Sequence, residues 1–402
     1  MSDHSTKKSL ITILSVLFFV ISGTVMISFV ARGYTLNIND MKNGSVINAS
    51  GLLSATSKPK GASVYIDDRL FTATDDIINL TPGDYLVKII KDGYLPWQKQ
   101  VRIKKELVVQ TDAQLFRSVS DIKPLTFTGA INPSINHDGS RIVYAVASAS
   151  ASKDNGLYIL DTISNPIPLG RNQPRQIAPN YAYLNWSDFK FTFSPNSRSI
   201  LATNGKATYQ IPIDSVFSPK MLVDVTYQLD QIYLDWEKQL AQINQPKLDK
   251  IPLELKELVS TESAKHISFS TSEDKLLYLA KTNRQLPQNI ITPPPVQSIQ
   301  KQSRDITPGN WYVYDMKEDT NFLIENSNAL TNIAWIPNSD NLMYVQDNAI
   351  KVVDYDNTNQ HILFNNNFNP ESTTPWADGS KIVILTPSYS GGQENLYTLT
   401  IR

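Results

Sequence analysis

One pattern of apolar and polar positions recurs five times in the C-terminal two-thirds of the chain: an apolar segment, a polar turn and a second apolar segment. The clearest copy is Trp335–Tyr344, in which four polar residues, Asn338 to Asn341, separate the two apolar segments. Asn, Asp, Ser and Gly suit tight turns, and aromatic and branched residues favour strands. The pattern predicts five similar β-hairpins, and the other copies lie at 135–142, 193–200, 269–276 and 376–382.

The spacing of the hairpins indicates a β-propeller. Intervals of 58, 76, 66 and 40 residues separate Ile142, Ile200, Leu276, Leu342 and Ile382, the first apolar residues after the turns. The shortest interval matches the roughly 40–45 residues of a four-stranded blade, so the longer ones contain insertions. We predict five or six blades over residues 119–402, closed where residues 124–127 pair with the final blade. The alternative is five unrelated hairpins in a β-sandwich.

A predicted helical insertion, residues 221–260, interrupts the repeat. Apolar residues recur at the 3.6-residue period over 221–243, and a second short helix is predicted at 253–259. The apolar stripe either packs on the propeller or forms a partner-binding surface, since an exposed stripe of this size is unusual in a soluble domain. The candidate partner-surface residues are Leu222, Leu229, Ile232, Trp236 and Leu240.

A second insertion, residues 285–308, contains three consecutive prolines from Pro293 to Pro295. Proline-rich segments form polyproline-II structure without internal hydrogen bonds. We therefore expect a mobile spacer loop here, with recognition of the prolines by a partner as the alternative.

The N-terminal region predicts a membrane anchor. Residues 10–31 are 22 positions without a charge, enough for a helix to cross a hydrocarbon core of about 30 Å. The run is longer than that of a cleaved signal peptide, the alternative, and Phe29 and Val30 stand where small residues would precede a cleavage site. Lys7 and Lys8 favour a cytoplasmic tail at residues 1–9, although Arg32 and Lys42 weaken this charge bias. Residues 32–53 are then a polar stalk.

Residues 54–118 predict a small β domain. Pro82-Gly83 is a turn dipeptide whose glycine is free to take a positive φ, and Asp92-Gly93 is a second turn. Between these turns, Tyr85, Val87 and Ile89 alternate along one strand face.

These residues resemble the PEGA domain, a small β-sandwich of bacterial surface proteins. The matching residues are Pro59, Gly61, Ala62, Pro82, Gly83, Gly93, Tyr94 and Trp97. The chain departs from the family pattern at Asp67-Asp68 and at 72–75, where a looser hairpin is expected. The resemblance implies a non-catalytic module outside the cytoplasm. Residues 119–402, in turn, resemble a TolB-like or WD-type propeller, although no copy contains the complete Ser-Pro-Asp-Gly turn.

Composition and motifs argue against most chemistry. The net charge of −1 gives no global attraction to nucleic acid, and the absence of cysteine excludes disulfides and thiolate catalysis. The histidines His4, His137, His266 and His361 lack metal-ligand spacing, and neither a Gly-x-Ser-x-Gly nor a phosphate-binding loop occurs. Four acids that end equivalent strands are interpreted as structural: Asp161, Asp214, Asp315 and Asp354. We predict no catalytic residues, no metal and no cofactor.

The expected protein is mainly β and crosses the cytoplasmic membrane once through residues 10–31, with its C-terminal domains outside. Its propeller rim would bind an envelope protein or a glycan and not nucleic acid, because loops from several blades converge on one rigid rim. Two alternatives remain: a propeller hydrolase or lyase acting on polysaccharide, with paired acids in the channel, and a structural spacer. Neither the ligand nor the oligomeric state follows from the sequence.

Overall fold

The protein is described from a computed structural model. It is mainly β, with 43% strand and 16% helix. Two compact units divide the chain: Met1–Lys91, Pro96–Leu115 and Pro293–Gln300 form the first unit, and Asp92–Leu95, Phe116–Thr292 and Lys301–Arg402 form the second. The described residues are 3–31, 34–36, 47–163, 173–214, 222–260, 262–324, 330–388 and 392–402.

The first unit begins with a long helix, α1 (Asp3–Ala31), followed by two short antiparallel strands, β1 (Tyr34–Leu36) and β2 (Ile47–Ala49). Large apolar side chains from Ile13 to Ile27 on α1 are 48% to 74% exposed. No helix within the described part of the chain has the length and apolar character of a membrane span. The predicted stalk falls largely on residues 37–46, which lie outside the described residues.

Three small sheets build the rest of the first unit. The central strand of each larger sheet alternates buried and partly exposed side chains, which is the period-two pattern of a strand with one face on a core. Leu53, Val64 and Ile89 are fully buried in this way. In hydrogen-bonded order the sheets are β10-β3-β7 (Val108–Gln110, Gly51–Ala55, Asp76–Leu80), β11-β4 (Ala113–Gln114, Ser57–Lys58) and β6-β5-β8-β9 (Arg69–Ala73, Ser63–Ile66, Gly83–Ile90, Trp97–Ile103).

At one turn of this unit the expectation is wrong, and at another the glycine does not take the positive φ available to it. Gly83 has no positive φ, because it is already the first residue of strand β8, where it pairs with Ile103. Asp67 and Asp68 form a tight two-residue hairpin turn, with φ of 47° and 64°, instead of a loose one. Aspartate tolerates this left-handed conformation, which matches the twist of the flanking strands.

Among its described residues, the second unit contains five four-stranded antiparallel sheets, within the predicted five or six. Each sheet is a blade, numbered one to five below in the order of their innermost strands. The blades are β13–β16 (Ile131–Ile135, Arg141–Val146, Gly156–Asp161, Arg175–Pro179), β17–β20 (Lys190–Phe193, Ser199–Thr203, Thr208–Pro212, Val223–Asp224), β21-β22-β25-β26 (Ala264–Phe269, Lys275–Ala280, Trp311–Asp315, Thr320–Leu323), β27–β30 (Thr331–Trp335, Asn341–Gln346, Ala349–Asp354, His361–Phe364), and β31-β32-β33-β12 (Thr374–Pro375, Lys381–Pro387, Glu394–Thr400, Asp121–Pro124).

All five recurring hairpins occupy the same place in their blades, so the propeller interpretation is confirmed over the sandwich. Each polar turn connects the first strand of a blade to the second, as in the Phe193 to Ile200 and Trp335 to Leu342 pairs. The turns are equivalent because antiparallel strands alternate in direction, so the turn between the first and second strands lies at the same end of every four-stranded blade. The turns also contact one another: Asn338 donates to the carbonyl oxygen of Asp378 in the next blade at 3.4 Å.

The ring is closed by β12, which precedes the first complete blade and pairs with the last strand, β33. Ile122 lies opposite Leu399 and Pro124 opposite Tyr397, and the Leu125 amide continues the ladder with a 2.8 Å bond to the Leu396 carbonyl. Closure between the start of the propeller and its final blade is therefore confirmed, about three residues earlier than the sequence suggested.

The helical insertion is confirmed as α2 (Leu229–Leu248) and α3 (Leu253–Leu258), preceded by a short 3-10 turn, Thr226–Gln228. Met221, its predicted first residue, lies outside the described part of the chain. Other 3-10 turns are Ser152–Asp154, Trp186–Asp188 and Pro370–Ser372.

The proline-rich insertion is more ordered than a spacer. Two short paired strands, β23 (Arg284–Gln285) and β24 (Asp305–Ile306), form its base. Within the first unit, Lys104 Nζ donates to the Pro295 carbonyl at 2.6 Å and the Gln300 amide donates to the Gln100 carbonyl at 2.8 Å. A proline-rich backbone makes no internal hydrogen bonds, and here hydrogen bonds that involve side chains hold the segment in place. The expectation of a mobile loop is corrected accordingly.

Ring closure is testable at Lys123, whose side chain is exposed. Hydrogen-bonded positions alternate in an antiparallel ladder, so the bond from Leu125 places the Lys123 amide in a hydrogen-bonded pair with Thr398. Lys123→Pro removes this donor and should destabilise the propeller by about 1–3 kcal/mol. Lys123→Ala keeps the donor and should change stability by less than about 0.5 kcal/mol. Denaturant unfolding of both full-length variants checks this, and equal stabilities would contradict it.

Candidate interaction site

A polar cleft of about 370 Å³ opens at the end of the propeller where the innermost strands begin. Its walls come from the starts of β13 and β17, the segment before β31, and the residues between β32 and β33. This volume lies within the roughly 300–1,000 Å³ of small-molecule sites. The lining residues are Thr128 to Ser134, Ala147, Ser148, Lys190, Phe191, Asn369, Glu371, Ser372, Leu385, Gln393 and Glu394.

One wall of the cleft is fixed by a buried amide. Asn395 Oδ1 accepts from the Thr126 hydroxyl and from the Gly129 amide, both at 3.0 Å. Gly129 has a φ of +87°, and a Cβ at this position would lie 2.6 Å from Gln393 Oε1. Glycine is therefore favoured here by the backbone conformation, and the flexible side chain of Gln393 would have to move to admit a Cβ.

A second wall depends on an asparagine in the innermost strand of the first blade. Asn132 has a φ of 49° at an irregularity in the β13 ladder, and its amide donates to the carbonyls of Ser187 and Phe189 at 3.2 and 2.9 Å. Asn332 repeats this geometry in the fourth blade, where it donates to the Pro370 carbonyl. Each asparagine thus ties its own blade to the segment leading into the next innermost strand.

The cleft is suited to binding polar ligands. Lys190, Glu371 and Glu394 are exposed, and their side chains form no ion pair with any other described residue. Amide, hydroxyl and carboxylate groups in such a lining can accept and donate hydrogen bonds. The described lining contains two acids, Glu371 and Glu394, and one basic side chain, Lys190.

A loop with two tyrosines, residues 180–185, precedes the cleft residue Lys190 in the chain. Tyr183 is 77% exposed and stacks on Tyr181, with ring centroids 5.9 Å apart and planes 18° apart. Paired backbone bonds between Tyr181 and Leu184, of 2.9 and 3.0 Å, close the loop tightly. Trp186, fully buried, anchors its end and donates from Nε1 to the Pro179 carbonyl at 3.0 Å.

The opposite end of the propeller, where the recurring turns lie, contains a second cavity of about 730 Å³. Its charges largely pair with one another: Arg141 contacts Asp161 at 3.3 Å and Asp214 at 3.1 Å, and the Arg175 guanidinium donates to the Ile213 carbonyl at 3.0 Å. Because these groups satisfy one another, we interpret this cavity as a structural junction between the first two blades.

Lys275 is a deeply buried charge of the propeller, and its side chain is 5% exposed. Its Nζ lies 3.3 Å from Asp274, 3.7 Å from Asp315 and 2.9 Å from Asp340 of the next blade, and 4.6 Å from the Tyr355 ring centroid. Burial lowers the pKa of Lys275, but the carboxylates of Asp315 and Asp340 outweigh this and raise it above the ordinary value. Lys275 is therefore a charged link between the third and fourth blades.

The acids that end the third strands are structural, as their recurrence suggested. Asp315 accepts from the amides of Lys317 and Glu318 at 2.8 and 3.1 Å, and Asp354 accepts from the Asn341 side chain at 2.6 Å. Within the described residues, no group of three His, Cys, Asp or Glu side chains could hold a metal ion.

Several residues of the Pro-Glu-Gly-Ala-like segment have structural roles. Gly61, with a φ of +70°, donates its amide to the Thr74 carbonyl at 2.8 Å, and the Ala62 amide donates to the Thr74 hydroxyl at 3.0 Å. Ala62 and Trp97 are buried, whereas Pro82 and Gly83 are exposed and Pro59 is half-buried. Thr74, part of the stretch that departs from the family pattern, thus fastens the segment.

Gly93 and Tyr94 lie in the second unit. Gly93 has a φ of +80° and accepts from the Ser118 amide at 3.0 Å, and Tyr94 forms a β-bridge with Arg117.

The candidate partner surface is covered by the propeller itself. Trp236 is 9% exposed and packs with the buried Leu201 and Val225, and Leu229 and Ile232 pack against the same cluster. Leu222 packs on the core between the first two blades, and Leu240 is half-buried. The stripe is apolar because it covers the second blade, so an open docking surface formed by these residues is the wrong interpretation.

Sequence reasoning missed Asn132, Gly129, Asn395 and the two tyrosines. A signal existed for the first: Asn132, His266 and Asn332 each stand three positions before the first hairpin residue, and all three have positive φ. Nothing in the sequence indicated that Gly129 approaches Gln393, because 264 positions separate the two residues.

The fold and the cleft define a mainly β protein with a small sheet domain and a five-bladed propeller. Residues 50–118 match the model of the PEGA domain family, so the chain carries a PEGA domain there. A search against curated proteins found no match.

Similar solved structures include TolB from Acinetobacter baumannii, with 12% identity over 79% of this chain and 60% of that one, at a TM-score of 0.23. A putative TolB from Agrobacterium tumefaciens has 12% identity over 85% and 99% of the two chains, at 0.21. An acylaminoacyl peptidase from Pyrococcus horikoshii has 11% identity over 69% of this chain, which spans 39% of the peptidase, also at 0.21. TM-scores this low carry no functional argument.

Removal of the Lys275 ammonium should strongly destabilise the propeller, because it leaves Asp315 buried without its cation and leaves Asp274 with Lys317 alone. We expect Lys275→Ala to cost about 3–5 kcal/mol. Lys381 begins the second strand of the fifth blade at the equivalent position but lies opposite Thr400, and Lys381→Ala should cost less than about 1 kcal/mol. Denaturant unfolding compares the two, and similar losses would contradict a structural role for the charge cluster.

Stability should fall in acid in part through Asp274. Burial raises the pKa of this carboxyl, but hydrogen bonds from Lys317 and Ser272 and the charge of Lys275 outweigh burial and hold the pKa well below its usual value. The unfolded chain then binds more protons, so this contribution is present above about pH 4 and is lost as the pH falls further.

The measurement is the unfolding free energy of the wild type and of Asp274→Asn at several pH values. The stability advantage of the wild type should be constant near neutrality and shrink below about pH 4. An advantage that does not shrink in acid would contradict the assignment.

Proposed function

We propose that the protein is a membrane-anchored binding or scaffold protein of the bacterial cell envelope. In this proposal the domains that follow residue 31 lie outside the cytoplasm. The cleft at one mouth of the propeller is the recognition site for an envelope protein or glycan. The observation that carries the proposal is the preformed polar cleft, in which the exposed side chains of Lys190, Glu371 and Glu394 form no ion pair with any other described residue.

The PEGA domain at residues 50–118 supports the envelope location, because the family is typical of bacterial surface proteins. The propeller supports the binding role, since a closed ring holds loops from different blades in fixed positions. A rigid site loses little conformational entropy when a ligand binds, so it binds a ligand more favourably than a mobile surface does.

The anchor rests on residues 10–31 and on the exposure of the α1 side chains. A helix that is apolar on all sides is unstable in water and needs an apolar environment. The large side chains of α1 from Ile13 to Ile27 have no protein core around them, which suits a helix surrounded by lipid.

Alkaline extraction of membranes that contain the full-length protein tests the anchor. The wild type should stay in the membrane pellet, and Leu17→Arg with Val20→Arg should release it, because each arginine near the centre of a span costs about 2.5–3.5 kcal/mol. Val119→Arg, at a residue 81% exposed on the second unit, is the matched control and should stay in the pellet. Release of the wild type would contradict the anchor.

A photo-reactive amino acid in place of Glu371 tests recognition in the same cells. Cross-linking to an envelope component is expected at this position and not at Tyr227, which is fully exposed on the helical insertion. Equal cross-linking at both positions, or none at Glu371, would contradict recognition at the mouth.

A further inference from the structure

Two exposed aromatic residues lie close in the chain to residues that line the polar cleft. Phe127 is 81% exposed and directly precedes Thr128 and Gly129 in the cleft wall. Tyr183 is 77% exposed, in the loop that leads to Lys190 in another part of the wall. Both side chains are therefore open to contact with a ligand.

We propose that this end of the propeller binds a neutral oligosaccharide, with sugar rings packed on Tyr183 and Phe127 and their hydroxyls bonded within the cleft. The proposal deepens the function proposed above by naming the class of ligand. A pyranose ring presents C–H groups on its faces and hydroxyls around its edge. Aromatic faces carry partial negative charge and attract such C–H groups, so a ring beside a polar cleft matches both parts of a sugar.

The tyrosine is presented in a fixed orientation. Its ring is supported from below by Tyr181, which packs against the core shared by the first two blades. Asn180 connects the two ends of the loop. Its Nδ2 donates to Asn185 Oδ1 at 2.9 Å, and its Oδ1 accepts from the Trp186 backbone amide at 3.1 Å. A platform held in this way loses little entropy when a ligand stacks on it.

The platform is physically connected to the cleft. The side chain of Asn132, which lines the cleft, bonds the carbonyls of Ser187 and Phe189 at the end of the tyrosine loop. Phe189 in turn contacts the Trp186 ring at 5.6 Å between centroids. The loop therefore has a fixed position relative to the cleft wall.

The composition of the surface favours a saccharide over a protein. The core of a protein interface is apolar and depleted in charge, whereas ten of the seventeen described residues that line this cleft are polar or charged. Amide and carboxylate side chains can bond hydroxyl groups in both directions or as acceptors. Its described charges are one lysine and two glutamates, which favours a neutral sugar over an acidic one.

The test is calorimetric titration of the full-length protein in detergent with four neutral tetrasaccharides: cellotetraose, chitotetraose, maltotetraose and mannotetraose. At least one should bind, and a tetragalacturonate should bind more weakly than the best neutral sugar. Tyr183→Ala and Phe127→Ala should each weaken binding by roughly tenfold, because each removes one stacking surface. Tyr183→Phe keeps the ring and should bind as the wild type does.

Tyr227→Ala is the matched control for loss of an exposed tyrosine and should leave affinity unchanged. Binding of none of the four sugars, or binding that neither alanine variant weakens, would overturn the proposal. A protein cross-linked at position 371 and released by Tyr183→Ala would also overturn it, while leaving the recognition function intact. Failure of the membrane extraction or of all cross-linking would instead overturn the proposed function.

Discussion

The propeller depends on the pairing of β12 with β33, which joins residues 121–124 to residues 397–400. An open row of four-stranded sheets would leave apolar faces of the first and last blades in water. The closing ladder covers both, and it brings Ala130, Ile142, Val383 and Leu396 into one buried cluster between the fifth and first blades. The cleft exists for the same reason, because its walls come from residues 128–134 and 369–394, which only closure makes neighbours.

The two ends of the ring divide structural and recognition roles. At the end that carries the recurring turns, charged groups pair with one another. Lys275 lies among three carboxylates and Arg141 lies between two, so these groups are satisfied within the protein. At the other end Lys190, Glu371 and Glu394 have no ion-pair partner among the described residues. Buried charges must be compensated at their site, whereas exposed polar groups remain able to exchange water for a ligand. This asymmetry, rather than any catalytic group, is the basis for interpreting the cleft as a binding site.

Elements with a short-range cause were predictable. The five hairpins follow from turn residues between strand-forming segments, and the α2 helix follows from its 3.6-residue period. The apolar stripe of the helical insertion shows the limit of sequence-based prediction. The sequence places Trp236 on an apolar face of a helix, but it does not show which residues that face packs against. Trp236 packs against Leu201, which lies on strand β18 of the second blade, 35 positions earlier in the chain. The expected looseness at Asp67-Asp68 failed for another reason: two aspartates can adopt the positive φ that the family pattern assigns to glycine.

The sequence by itself determined the repeat, the mainly β class, the PEGA domain and the apolar N-terminal segment, because each depends on residues near one another along the chain. Only the tertiary structure decided the number of blades, the order of the proline-rich loop, the covering of the helical stripe and the position of the cleft. Those features depend on residues far apart in sequence, such as Gly129 with Gln393. Their proximity results from ring closure, which no local pattern of apolar and polar positions records.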